Sequence, residues 1–156
     1  VLAVSGVKNS GKTTLIEALL PRLTALGLKT AVVKHDGHSF TPDTPGTDTF
    51  RFFQAGACGT AIFDSEKYSL ARVVTMTEGQ LVAMFPEADL VLLEGFKNSA
   101  YPKLELISET PVCDPETCLA YVSTGSVATD KLVFRPDELE AIAAFVAAFV
   151  RGASDA

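Results

Sequence analysis

The chain has 156 residues, 47% of them apolar and 21% charged, with a net charge of −6 at pH 7. That length and composition predict one folded domain with a sizeable core and exclude a disordered chain. The acidic balance, with no basic run, argues against a nucleic-acid surface, and no apolar run reaches the length of a membrane span.

The start lacks the charged and long apolar regions of a secretory leader, so the expected compartment is the cytoplasm. Because Val1 is not a Met, a residue or a few are expected upstream. Cys58, Cys113 and Cys118 are odd in number, form no C-x-x-C and have no His nearby. They read as buried or incidental thiols in a reducing compartment.

The first element is the most informative. A short apolar run, Val1 to Val4, leads into Gly6-Val7-Lys8-Asn9-Ser10-Gly11-Lys12-Thr13, which fits the phosphate-binding pattern G-x-x-x-x-G-K-[ST]. Glycines let the backbone curl so that successive N–H groups face phosphate oxygens. The helix that follows adds its N-terminal N–H groups and the positive end of its dipole. Asn9, Ser10, Gly11, Lys12, Thr13 and Thr14 are therefore the candidate nucleotide-binding residues. Lys12 is placed to reach the β- and γ-phosphates, and the Thr13 hydroxyl to ligate Mg²⁺.

Downstream, Leu15, Leu19, Leu23 and Leu26 make one apolar helical stripe. Pro21 is expected to kink or break it, and Gly27 to stop it. Lys29 to Lys34 reads as a second strand, completing a βαβ unit with parallel pairing. The following Lys34-His35-Asp36-Gly37-His38 then lies on the carboxyl rim, where ligands bind in such sheets. Thr47 or Asp48 caps a short helix to about Gln54, whose Asp48 and Arg51 share a face at i, i+3.

Gly59 to Asp64 reads as a third strand, and residues 67–76 are ambiguous. Thr77 caps a helix to Phe85. Asp89 to Glu94 is an apolar run between two carboxylates, the signature of a buried parallel strand. Glu94 at its end suits an acidic group that positions Mg²⁺ or a water. Leu104 to Ile107, Leu119 to Val122 and Lys131 to Phe134 suggest further short strands. Leu139, Ile142, Val146 and Phe149 stripe a closing helix. The whole predicts an α/β protein of three layers, a P-loop NTPase fold with a mostly parallel sheet flanked by helices, in a single domain.

Four blocks give the chain a specific resemblance: Gly6 to Thr14; Lys34-His35; Asp43 to Arg51 with Ala55-Gly56-Ala57; and Glu94-Gly95-Phe96-Lys97 with Pro102-Lys103-Leu104-Glu105. In this order and spacing they resemble the MobB family, the molybdopterin-guanine dinucleotide biosynthesis protein B. It departs from that pattern at Thr49, at Ser108 and in the thinned His content after Lys34-His35, which weighs against a His-based metal site. The resemblance implies a GTP-binding, Mg²⁺-dependent homodimer with weak GTPase activity. It implies partnership with the MobA nucleotidyltransferase in making molybdopterin guanine dinucleotide. On that reading Lys12 and Glu94 are the catalytic candidates. Thr13, Glu94 and Asp36 are the metal candidates, with Asp64 a further acidic one. Lys34, His35, Asp48, Arg51, Lys97 and Lys103 form a rim for molybdopterin or a partner carrying it.

Two other readings stay open. A small-molecule kinase would bring a basic lid, yet between Arg72 and Arg151 there is one arginine, Arg135. A nucleotide-dependent adaptor would use the γ-phosphate to order a partner-binding loop. No N-K-x-D is present to read guanine, since Asn98 precedes Ser-Ala-Tyr, so the residues alone do not choose between GTP and ATP.

Overall fold

The structure, a computed structural model, describes residues 1–37 and 40–154; His38, from the loop after the second strand, lies outside them. In chain order the elements are β1 (Leu2–Gly6), α1 (Lys12–Ala25), β2 (Thr30–Lys34), α2 (Asp48–Gln54), β3 (Gly59–Phe63), β4 (Tyr68–Arg72), α3 (Glu78–Val82), β5 (Leu90–Glu94), β6 (Lys103–Ile107), β7 (Cys118–Ser123), β8 (Leu132–Phe134) and α4 (Leu139–Ser154). They fall into two compact units, one holding Val1–His35 and the chain from Gly79 onward, the other Asp36–Glu78.

The first unit is built on a six-stranded sheet of order β2-β5-β1-β6-β7-β8. Every neighbouring pair is parallel. All strands therefore end on one edge, which carries Gly6, Lys34, Glu94, Ile107 and Ser123. Strand β5, Leu-Val-Leu-Leu-Glu, is buried along its whole length, because both of its faces are covered. Alternate residues divide between the faces. Leu2, Val4, Leu90, Leu92, Leu104 and Val122 pack with Leu15, Leu19 and Leu23 of α1 and Ile142 and Val146 of α4. Ala3, Val33, Val91 and Leu93 form the opposite layer, against Leu81, Val82 and Phe85. Truncating a fully buried member such as Leu19 costs about 2–5 kcal/mol.

Helix α1 runs unbroken through Pro21, against the expected break. The carbonyl that Pro21 leaves unpaired belongs to Glu17, and both residues are exposed, so water can satisfy it. The buried stripe Leu15, Ile16, Leu19 and Leu23 holds the helix together from the other side. Leu26 is not part of that stripe; it is the C-cap and 40% exposed. Gly27, at φ 84°, donates to Thr24 O at 2.9 Å, and Leu28 N to Leu23 O at 3.0 Å. This paired closure needs a left-handed residue after the cap, which glycine supplies.

In the second unit Thr47, rather than Asp48, caps α2, its hydroxyl accepting from Phe50 N at 3.3 Å. Strand β3 does not join the parallel sheet as expected. It pairs antiparallel with β4, from Gly59↔Arg72 to Phe63↔Tyr68, in a two-stranded sheet of its own. The cause is local: Asp64 N donates to Lys67 O at 2.9 Å, while the Asp64 carboxylate accepts from Glu66 N and Lys67 N. That tight turn delivers the chain straight back onto β3. Helix α3 is shorter than the expected 77–85. Past Val82 the chain tightens, with Met84 N on Leu81 O and Phe85 N on Val82 O, before Pro86. Among the described residues, no helix is long and apolar enough to cross a membrane.

Candidate functional site

The loop between β1 and α1 takes a shape that its residue types dictate. Gly6 lies at φ 141°, and a Cβ there would stand 2.5 Å from Leu106 O and 2.9 Å from Ser10 Oγ. No other residue fits this close approach of β1 to β6. Asn9, at φ 62°, adopts the left-handed turn that asparagine tolerates. Gly11, also left-handed, begins α1 with no side-chain cap. The first N–H groups of α1 are thus not taken by a capping side chain and are available to an anion. Lys12 Nζ lies over this loop, donating to Val7 O at 2.6 Å and to Gly6 O and Ser10 Oγ at 3.4 Å. Burial lowers its pKa below the ordinary lysine value, with Glu94 opposing the shift and Lys34 adding to it. Neutral carbonyls hold the ammonium here, and phosphate oxygens would bind it more strongly.

Next to it, Thr13 Oγ1 donates to Glu94 Oε1 at 2.8 Å. The same oxygen receives Lys34 Nζ at 3.1 Å. Register explains the convergence, because Lys34 pairs with Glu94 across β2–β5 and Val4 with Glu94 across β1–β5. A hydroxyl and a carboxylate beside a phosphate loop are the hard oxygen donors that Mg²⁺ prefers, so the residues fit that ion. Ser5, fully buried, donates its hydroxyl to Gly95 O, and Gly95 N bonds Val4 O at 3.0 Å. These bonds hold the turn after β5 against β1. His35 N donates to Glu94 O at 3.2 Å, and its ring meets Phe96 edge-on at 5.5 Å. Lys34, His35 and Glu94 thus stand together at adjacent strand ends.

The remaining expected rim residues divide. Lys97 is exposed on the loop after β5. Lys103 is not a rim cation. It is fully buried, and its ammonium donates to Ser99 O, to Tyr101 O at 2.8 Å and to Ser99 Oγ at 3.3 Å. As the first residue of the inner strand β6 it points into the protein, where it anchors the loop that carries Lys97. Asp36, Asp48, Arg51 and Asp64 belong to the second unit. Asp48 and Arg51 form an exposed pair at 3.4 Å, which is worth only a few tenths of a kcal/mol. The Asp64 carboxylate is engaged by its own turn and by Lys67 Nζ at 3.0 Å, at the end of the two-stranded sheet.

A cavity of about 430 Å³ opens beside the phosphate loop. Asn9, Gly11 and Thr14 line one side, and Ser108, Ser123 and Thr124 the other. The end of β7 was within reach of sequence reasoning. Ser108 was not, although its place one residue beyond a parallel strand was the available signal.

Parallel sheet, glycine loop and capless helix together make this a P-loop α/β protein. A family model for "Molybdopterin guanine dinucleotide synthesis protein B", MobB, matches residues 1–124. The chain is 31% identical over 160 residues to the molybdopterin-guanine dinucleotide biosynthesis adapter protein of Haemophilus influenzae, covering 94% of this chain and 86% of the relative. It is 36% identical over 119 residues to a probable protein of that name from Bacillus subtilis, covering 70% of this chain and 65% of that relative. A crystal structure of Bacillus subtilis MobB superposes with a TM-score of 0.77 at 29% identity, covering 94% of this chain and 95% of the other. A crystal structure of a molybdopterin-guanine biosynthesis protein B gives 0.73 at 29% identity, covering 96% and 98%. The chain belongs to the MobB family.

Proposed function

We propose that this protein is a GTP-binding adapter in molybdenum cofactor biosynthesis, serving a MobA-type nucleotidyltransferase that forms molybdopterin guanine dinucleotide. The observation that carries the reading is the convergence of Lys12, Thr13 and Glu94 at the start of α1 and the end of β5. Lys12 and the N–H groups from Asn9 to Thr14 would hold the phosphates. Thr13 and Glu94 would hold Mg²⁺. The ion, when bound, neutralises charge across the β- and γ-phosphates. Glu94, anchored by Thr13 and Lys34, would orient a water, and slow hydrolysis is the expected activity.

Guanine is favoured by the dinucleotide in the family description, and the cavity edged by Ser108 and Ser123 offers hydroxyls for a base. Lys34, His35 and Lys97 give an acidic protein a local cationic edge for an anionic pterin. The β3–β4 hairpin supports a homodimer. Ile62, Phe63, Tyr68 and Leu70 are exposed on it, Phe63 at 82%, and an isolated two-stranded sheet gains stability when a partner covers it. Free thiols at all three cysteines suit the cytoplasm.

Competition of GTP against ATP for the Mg²⁺-loaded protein tests the base, with a clear ATP preference counting against the reading. A reconstituted assay tests the role: the nucleotidyltransferase should yield more dinucleotide cofactor with this protein and GTP than without. An unchanged yield would remove the adapter function.

A further inference from the structure

We propose that Glu105, Cys113 and Cys118 form a buried site for one thiophilic divalent cation, zinc by chemistry, independent of the Thr13–Glu94 site. Glu105 lies in the middle of β6 and Cys118 opens β7; Cys113 sits in the loop between them. They are exposed by 0%, 2% and 7%. One donor atom from each lies within 4.8 Å of the others. The two thiols have the C-x4-C spacing found among structural zinc sites.

The geometry already approximates a coordination sphere. Cys118 Sγ stands 3.5 Å from Glu105 Oε2. That is about the edge of a tetrahedron whose metal–sulfur bond is about 2.3 Å and metal–oxygen bond about 2.0 Å. A cation replacing the S–H proton needs no large movement of this pair. The other carboxylate oxygen, Oε1, accepts from Val112 N and from Cys113 N at 3.1 Å. Ligand carboxylates are oriented in this way in metal proteins. Tyr121, opposite Glu105 in register, hydrogen-bonds the Cys118 side chain.

Charge closes as well. Two thiolates and a carboxylate around a dication leave one negative charge. Lys103 lies two residues before Glu105 on β6, fully buried and near enough to act on Cys113. It would balance that charge, so the loaded cluster is neutral in an interior that penalises net charge. Two sulfurs select zinc over magnesium or calcium. The cation would clamp the loop from Ser108 to Thr117. Ile107 packs in the same cluster as Cys113 and Cys118 and also lines the cavity beside the phosphate loop, so the clamp would stiffen one cavity wall.

Cys58 is exposed, so the test uses the full chain carrying Cys58→Ser, reduced and stripped of metal. Cobalt(II) is added as a spectroscopic probe and then displaced by zinc. One cobalt per chain is expected, with a near-ultraviolet thiolate-to-cobalt band that zinc abolishes. X-ray absorption of the zinc form should find two sulfurs at about 2.3 Å. Glu105→Gln and Cys118→Ser, if folded by circular dichroism, should each weaken zinc by about 100-fold or more. Where those variants fail to fold, the spectra of the Cys58→Ser chain decide alone. No thiolate band from folded protein, or a zinc environment with fewer than two sulfurs, overturns the proposal.

Discussion

Thr13 and Glu94 are 81 residues apart in the chain and 2.8 Å apart between hydroxyl and carboxylate. One begins the helix after the phosphate loop; the other ends the inner strand β5 beside it. Neither residue is distinctive alone. Their contact, with Lys34 on the same carboxylate oxygen, brings a hydroxyl, a carboxylate and an ammonium together at the end of the sheet.

Lys12→Ala should cost at least about 100-fold in nucleotide affinity, since charge-assisted bonds to phosphate are worth about 1.5–3 kcal/mol each. Isothermal calorimetry reads this directly. An affinity within a few-fold of the parent protein would mean that the Gly6–Thr13 loop does not bind phosphate.

Glu94→Gln keeps the shape of the side chain and an oxygen for Thr13 but removes the charge. Hydrolysis should fall about 10- to 100-fold, while GTP affinity shifts much less. Single-turnover kinetics beside equilibrium binding separate the two. Equal losses in both would make Glu94 a binding group only.

Lys103→Met should lower stability by about 1–3 kcal/mol, because the carbonyls of Ser99 and Tyr101 lose a buried donor. Lys97→Ala, at an exposed position, should stay within about 0.5 kcal/mol. Urea unfolding of the two variants distinguishes an anchoring lysine from a rim lysine. Similar values would undo the distinction.

The Cys113 thiol, raised from 9.0 to about 12 by burial first and Glu105 second, carries a pH signature in the metal-free protein. Between those values the folded state keeps a proton that the unfolded state has released. Stability is therefore fully present below about pH 9 and declines as pH rises toward 12. Cys113→Ala should flatten that alkaline decline in chemical denaturation curves; an unchanged slope would place its origin elsewhere.

Phe63→Ser with Ile62→Asp on the hairpin should shift the molecular mass measured by sedimentation from dimer to monomer while circular dichroism is kept. A monomeric parent protein, or a variant that stays dimeric, would remove the hairpin from the interface.

Much of the first unit was legible because its signals are local. The glycine loop, the stripe of α1, the Gly27 stop and the apolar run of β5 each follow from residues within one turn or one strand. The family resemblance rested on such blocks. Pro21 misled because its effect depends on whether the freed carbonyl faces water, and Glu17 does. Strand β3 misled because an extended segment does not announce its partner; the Asp64 turn, four residues long, directed it to β4.

The sequence by itself determined that a phosphate loop sits at the start of an α/β sheet, because curled glycines, a helix start and a Lys-Thr pair are encoded in consecutive residues. Tertiary structure alone decided what stands around that loop. Parallel register set Lys34 and Glu94 side by side, and burial turned Lys103 from a surface charge into a loop anchor. The return of β7 beside β6 brought Cys118 to Glu105. Contacts between residues distant in the chain depend on strand order and depth, and neither is written in any single stretch.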